Sequence, residues 1–232
     1  MGEILSVSNV NIAYDKNQVY KDLNLSIGSG KIVGLLGPNG SGKTTLIKMI
    51  AGLLKYKKGS IKVDGHEIGP ESKALVAYLP DGSFLNEKLK VKSLIDIYSD
   101  FFKDFDKAKA VRIIGDLGID LNSRFKALSK GNKEKVQLGL VMSRHAKIYL
   151  LDEPIGGVDP AARDYILSTI ISNYDKDSTI IISTHLIQDI ENVLDEVIFV
   201  KEGEILLQRN ADDLRTERNQ SIDDIFREEF RC

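Results

Sequence analysis

Apolar and polar positions follow one period in the outer parts of this chain and another in the middle. Near the start, Ile4, Leu5, Val7, Val10 and Ile12 form a partly alternating run, and Leu23, Leu25 and Ile27 alternate strictly. That pattern predicts two half-buried strands. Three later runs are apolar without a break: Ile32-Val33-Gly34-Leu35-Leu36, Ile148-Tyr149-Leu150-Leu151 and Thr179-Ile180-Ile181-Ile182-Ser183. Such runs suit strands covered on both faces, as in a parallel sheet. Val197-Ile198-Phe199-Val200 and Glu204-Ile205-Leu206-Leu207 follow, separated by the turn Lys201-Glu202-Gly203. Between residues 59 and 80, Ser60-Ile61-Lys62-Val63 and Ala74-Leu75-Val76-Ala77-Tyr78-Leu79 read as strands. Asp64-Gly65 gives a tight turn, Gly69-Pro70 a loop and Pro80-Asp81-Gly82 a break.

The period changes to a helical one in seven places. Leu46, Ile47, Met49, Ile50, Leu53 and Leu54 predict a mostly buried helix over 45–54. Leu94, Ile95, Tyr98, Phe101 and Phe102 recur at helical spacing. A second helix starts after Asp106, carries Ala110, Val111, Ile113, Ile114 and Leu117, and stops at Gly118. Phe101, Phe102 and Phe105 are expected in the core, the alternative being a face turned to a partner. Ser129 is the expected N-cap of a helix over 129–145, and Asp159-Pro160 opens another. One more runs over 186–194, and Ile222, Ile225, Phe226 and Phe230 form an amphipathic stripe in a highly charged end. The 91–128 block therefore reads as a helical insert in an otherwise alternating α/β chain. No internal repeat or low-complexity segment is visible.

Composition narrows the class without naming a function. At 232 residues the chain is long enough for one large domain with a real core. A hydrophobic share of 42% and a charged share of 28% are those of a globular protein. A formal charge of -2, with no long basic stretch, argues against a nucleic-acid partner. The single cysteine, Cys232, has no internal partner for a disulfide, which fits a reducing cytoplasm. It also lacks the following residues of a prenylation signal. No signal peptide is expected, and no apolar run approaches the ~20 residues that cross a bilayer. Any membrane work would need a second chain.

The candidate chemistry lies at strand ends. Gly37-Pro38-Asn39-Gly40-Ser41-Gly42-Lys43-Thr44, followed by Thr45, fits G-x-x-x-x-G-K-[ST] between a predicted strand and a predicted helix. Glycines let successive N–H groups line a concave anion site, and the helix points its positive end at the same place. Lys43 can reach the outer phosphates of a nucleotide, and the Thr44 hydroxyl can ligate Mg2+. Asp152 ends an apolar strand, where a carboxylate can hold that ion directly or through water. Glu153 is placed to orient or deprotonate an attacking water. His185 also follows a buried strand end; it either hydrogen-bonds the γ-phosphate or the water, or simply opens a helix. Tyr14, before the polar turn Asp15-Lys16-Asn17-Gln18, is either an ordinary strand-end tyrosine or an adenine-stacking ring. His66 and His145 have no comparable placement.

With Leu128-Ser129-Lys130-Gly131-Asn132 added, the chain resembles the ATP-binding subunit of ABC transporters over nearly its whole length. That segment resembles the family's LSGGQ signature and lies before an apolar helix, ahead of Asp152-Glu153. Gly156-Gly157-Val158-Asp159 matches the family's D-loop, with Asp159 at the dimer contact. His185 matches its switch histidine and Tyr14 its adenine-stacking aromatic. The resemblance implies a P-loop NTPase α/β fold with a mainly parallel sheet, an antiparallel β subdomain from residues 1–30 and 59–80, and a helical subdomain over about 84–140. The ATP-binding domain would span 1–208, and 209–232 would be a charged amphipathic tail. It implies ATP and Mg2+ as ligands and ATP hydrolysis as the activity. Two such domains would clamp two ATP molecules head to tail, with Ser129, Lys130, Gly131 and Asn132 serving the opposing site. Ser129 and Gly131, at a helix N-terminus, can offer donors to the γ-phosphate. The partners implied are a second nucleotide-binding subunit, of the same or a related chain, and a separate transmembrane subunit touching the region of 81–86. The location implied is the inner face of the cell membrane.

Two departures from the family pattern stand out. Asp81 occupies the place of the Q-loop glutamine, bringing charge to a position that otherwise supplies a neutral metal ligand. Lys130 and Asn132 replace a glycine and a glutamine of the signature. The LSKGN form with a Pro-acidic Q-loop resembles the subgroup that exports drugs, peptides or lipids. The alternative is a soluble ATPase of the same family without a transport role. Translation-type members carry two nucleotide domains, and this chain has one. A P-loop kinase is disfavoured by the Leu128-Asn132 segment.

Overall fold

The computed structural model describes residues 2–15, 17–156 and 160–230, residues 160–162 as backbone only. The first two predicted strands are longer than their apolar runs. β1 (Glu3–Tyr14) and β2 (Asn17–Gly28) pair antiparallel down to Tyr14 opposite Asn17. β4 (Lys58–Val63) pairs antiparallel with β1, and β5 (His66–Glu67) closes the sheet in the order β2-β1-β4-β5. The β4–β5 turn is made by Asp64 and Gly65, both at positive φ, the geometry a two-residue hairpin needs.

The unbroken apolar runs form a second sheet. β3 (Ile32–Leu36), β6 (Val76–Leu79), β7 (Ile148–Asp152), β8 (Thr179–Thr184), β9 (Glu196–Lys201) and β10 (Glu204–Asn210) take the order β10-β9-β3-β8-β7-β6. All neighbours are parallel except β9 and β10. Alternate residues of each strand feed two cores. Val33, Leu35, Ile148, Leu150 and Ile181 pack toward the antiparallel sheet and α1 (Lys43–Ile50). Ile32, Leu36, Tyr149, Leu151, Ile180 and Ile182 pack toward the other helices. Both faces are covered, which is why these strands show no polar alternation.

The second core is roofed by α3 (Val91–Phe101), α4 (Lys107–Asp116), α5 (Lys130–Met142) and α6 (Pro160–Asn173). α7 (Ile187–Ile190), α8 (Ala211–Arg218) and α9 (Ile222–Glu229) complete it. Asp106 and Ser129 cap α4 and α5 as their sequence positions predict, accepting from Lys109 N and Asn132 N. The charged C-terminal stretch docks on this core: Ala211, Leu214, Ile222 and Ile225 are buried, and Phe226 meets Phe199 edge-on.

Four expectations are corrected. α1 ends at Ile50, and Leu53 is exposed rather than buried, because Gly52 at positive φ stops the helix. Residues 70–74 form a short helix, α2 (Pro70–Ala74), opened by a proline at its first turn. The strand that follows is therefore only Val76–Leu79. It joins the parallel sheet beside β7 rather than the antiparallel subdomain. Phe101 is exposed, while Phe102 and Phe105 stay partly covered around Tyr98.

Candidate functional site

Strand register assembles the site. Leu36 lies opposite Thr184, Asp152 opposite Ser183, and Leu79 opposite Leu151. The carboxyl ends of β3, β8, β7 and β6 therefore share one edge, where ligands bind in open parallel sheets. That edge receives the loop 37–42, His185, the pair Asp152-Glu153, and Asp81. No residue of the set reaches it by a long excursion.

The loop after β3 has the geometry its glycines require. A Cβ on Gly37 would stand 2.3 Å from Val200 O and 2.6 Å from Ser41 Oγ. Gly42 has φ +113°, and a Cβ there would stand 2.7 Å from the Tyr20 hydroxyl. Neither position tolerates a side chain. Pro38, Asn39 and Gly40 are exposed and Ser41 is buried. Lys43 is 6% exposed and folds back to donate to Gly37 O at 2.7 Å and Pro38 O at 3.1 Å. Burial lowers its pKa, with Glu153 and Asp152 pulling the other way. A buried ammonium held, among the described residues, by loop carbonyls is a ready partner for an anion.

Asp152 is 1% exposed. Its Oδ1 accepts from Ser183 Oγ at 2.5 Å and from Thr44 Oγ1 at 3.1 Å; its Oδ2 is buried without a partner among the described residues. Burial raises its pKa, the two hydroxyls oppose that, and Asp81 and Glu153 add to it. Glu153 sits at φ +50°, a conformation uncommon for a non-glycine residue. Its N–H donates to Ser183 O at 2.9 Å. Its carboxylate lies 3.0 Å from His185 Nδ1 through both oxygens and accepts from Thr184 Oγ1 at 3.2 Å.

These residues line a two-part cleft. One part, of about 420 Å³, is lined by Tyr14, Asn39, Lys43, Thr44, Thr45, Asp81 and Glu153. Tyr14 is 47% exposed there, its ring open to a ligand. The other part holds Asp152, Glu153 and His185 together with Asp81, Lys130 and Glu134. Ser129 is exposed at the start of α5, where its hydroxyl caps the helix; Gly131 and Asn132 are half-buried in the first turn. Ser129, Gly131 and Asn132 do not line the cleft, whereas Lys130 does. Asp159 lies outside the described residues.

The donor set fits Mg2+. The partnerless Asp152 Oδ2 and the Thr44 hydroxyl are hard oxygen ligands close together. No group of three or more His, Cys, Asp or Glu among the described residues forms a metal cage. Mg2+ characteristically takes one or two protein oxygens and completes its shell with phosphates and water. Sequence reasoning missed Ser183, Thr184, Glu134 and Gln137. Ser183 and Thr184 carried a signal, as polar residues closing an otherwise apolar strand; the two helical residues carried none.

Comparison with known proteins agrees with this geometry. The family model described as ABC transporter matches residues 20–156. The ABC transporter ATP-binding protein YtrB of Bacillus subtilis (strain 168) is 33% identical over 208 residues, covering 88% of this chain and 71% of the relative. The lipopolysaccharide export system ATP-binding protein LptB of Haemophilus influenzae is 29% identical over 214 residues, covering 88% and 89%. A solved ATP-binding subunit of an ABC transporter superposes with a TM-score of 0.86 at 27% identity, covering 98% of this chain and all of that one. The chain belongs to the ABC transporter family, as one of its ATP-binding and ATP-hydrolysing subunits.

Proposed function

We propose that this subunit binds Mg-ATP in the described cleft, closes head to tail on a second nucleotide-binding subunit, and hydrolyses ATP to drive export through a separate transmembrane subunit. The observation that carries the site assignment is the shared strand edge, which brings the phosphate loop, Asp152, Glu153 and His185 together. The loop 37–42 with Lys43, Thr44 and Thr45 binds the phosphates, and Tyr14 stacks on the adenine. Thr44 and Asp152 would hold Mg2+, with Asp81 as a further candidate; when bound, the ion would supply charge neutralisation on the phosphates. Glu153 takes the proton of the attacking water, and His185, already against the Glu153 carboxylate, steadies it near the γ-phosphate. Ser129, Lys130, Gly131 and Asn132 serve the nucleotide of the opposing subunit, and Asp159 lies at that contact.

Subunits of this family dimerise and work with transmembrane partners. Among the described residues, no helix is long and apolar enough to cross a membrane. The proposed place, from the association of this family's subunits with membrane transporters, is the inner face of the cell membrane, on a second chain. Phe84, Ile97 and Phe101 are exposed apolar side chains on the 81–86 segment and α3, and suit that contact. Export is supported by the LSKGN form and by the Haemophilus relative, whose name states export. Residues 1–208 constitute the ATP-binding domain, with the helical subdomain over about 84–140, and 209–232 the appended tail.

The Glu153→Gln variant tests the reading. Turnover should fall by roughly 10²–10⁴ while ATP still binds, and size-exclusion chromatography with light scattering should show a dimer in Mg-ATP and a monomer without it. Turnover close to the parent would remove Glu153 from the reaction. A monomer with ATP demonstrably bound would exclude a sandwich of two identical chains.

A further inference from the structure

Helix α5 is apolar through its buried second half, with Val136, Leu138, Leu140, Val141 and Met142 shielded from solvent. Gln137 stands among them at 1% exposure. A buried amide is costly unless its donor and acceptor both find partners. Both do, and both partners are main-chain groups of a single segment. Phe84 N–H donates to Gln137 Oε1 at 3.0 Å, and Gln137 Nε2 donates to Gly82 O at 3.3 Å. Among the described residues these are the hydrogen bonds that tie the backbone of 81–84 to the rest of the chain. The remainder of the loop is held elsewhere: Leu89 O and Glu87 O accept from Phe125 N and Lys126 N.

The tied segment presents Asp81 to both parts of the cleft. The helix that ties it begins at Ser129 and Lys130, two turns before Gln137. An apolar residue would fill the same space and leave 81–84 free to drift. The amide instead fixes where Asp81 stands relative to the start of α5. We propose that Gln137 is a positioning residue that couples the Asp81 segment to α5. Asp81, facing its own nucleotide, then moves as one body with the helix start that faces the opposing nucleotide. The coupling half of this proposal rests on the head-to-tail reading above; the anchoring half does not.

Hydrogen–deuterium exchange on the full-length Glu153→Gln chain, with and without Gln137→Met and Mg-ATP, separates the two halves. Methionine matches glutamine in length and removes both hydrogen bonds. Without nucleotide, exchange at the Phe84 amide should quicken roughly five- to ten-fold. Gln137→Glu, which keeps the acceptor for Phe84 N–H, should restore its protection. Unchanged Phe84 exchange in Gln137→Met overturns the anchor, whatever ATP does. With Mg-ATP, the 37–45 peptide should be protected in both proteins. The 129–137 peptide should respond in the parent and lose most of that response in Gln137→Met; a full response there overturns the coupling. A parent whose 37–45 peptide is not protected by ATP would count against the nucleotide site, while the anchor is still decided by the nucleotide-free comparison. In the otherwise wild-type chain, Gln137→Met should lower kcat several-fold at unchanged KM for ATP, with kcat counted per ATP-binding site by nucleotide titration so that a loss of folded protein does not enter it.

Discussion

Glu134 shows at single-residue scale how a nucleotide site stores unfavourable charge. Its Oε2 is buried without a partner among the described residues, and Lys130 approaches the other oxygen only to 3.8 Å. Burial raises its pKa; Lys130 works against that and Asp81 adds to it. Asp152 is in the same position, softened by two hydroxyl donors. With Asp81 and Glu153, these carboxylates line a cleft meant for an anion, a conflict that bound cations relieve. A carboxyl whose folded pKa exceeds its unfolded value favours the folded chain most when protonated. The stability tied to Glu134 is therefore greatest below the unfolded value of ~4.3. It declines as pH rises from there through the raised folded value, and stays low at neutral pH. Glu134→Gln removes that decline. At pH 7.5 its nucleotide-free Tm should exceed the parent's by on the order of 2 °C, and the gain should vanish near pH 4. A gain that persists at pH 4, or a lower Tm at pH 7.5, would show that the carboxylate is well satisfied after all.

At the scale of elements, Arg144 holds the helical insert to the sheet. It lies between α5 and β7 with its side chain 5% exposed. Its guanidinium donates to both oxygens of Asp104, to Val76 O at 2.6 Å and to Ala74 O at 2.9 Å, and stacks 4.1 Å from the Phe102 ring centroid. One planar fork thus joins the α3–α4 loop to the start of β6, which lysine cannot imitate. Arg144→Met should cost about 3–5 kcal/mol in urea unfolding, and Arg144→Lys a large part of it; a loss under ~1 kcal/mol for Met would show that the α3–α4 loop is held by packing alone. None of this could be read from an arginine in an unremarkable stretch. What the sequence did disclose were elements whose burial is uniform. The runs around Ile32, Ile148 and Ile180 are apolar on both faces and sit where they were expected, and the phosphate loop carries its own context. β6 was misassigned because a short apolar run looks alike in either sheet; only pairing with β7 decides. Phe101 and Leu53 failed because spacing places a residue on a face without saying where the helix ends. Gln137 acts through partners 53 and 55 residues away, which no local pattern reveals.

For the whole molecule the open question is how two copies divide one reaction, and Lys130 offers a handle on it. In the single chain its side chain is 75% exposed, and its contact with Glu134 is long. An exposed pair of that kind contributes little, so the ammonium remains available to another charge. In the proposed sandwich, the start of α5 meets the γ-phosphate of the opposing site, and Lys130 adds a full positive charge where the family pattern has glycine. Its attraction would stabilise the closed dimer. In the Glu153→Gln background, Lys130→Gln should weaken ATP-driven dimerisation roughly three- to ten-fold at low salt, read at saturating Mg-ATP so that affinity at its own site does not enter. The two proteins should converge near 1 M salt, where the screening length shrinks to ~3 Å. Sedimentation velocity across a salt series reads both quantities. Equal dimer constants at low salt would mean that Lys130 is simply solvated in the closed state. A difference that survives at high salt would instead point to a packing role for the side-chain stem, with the charge incidental.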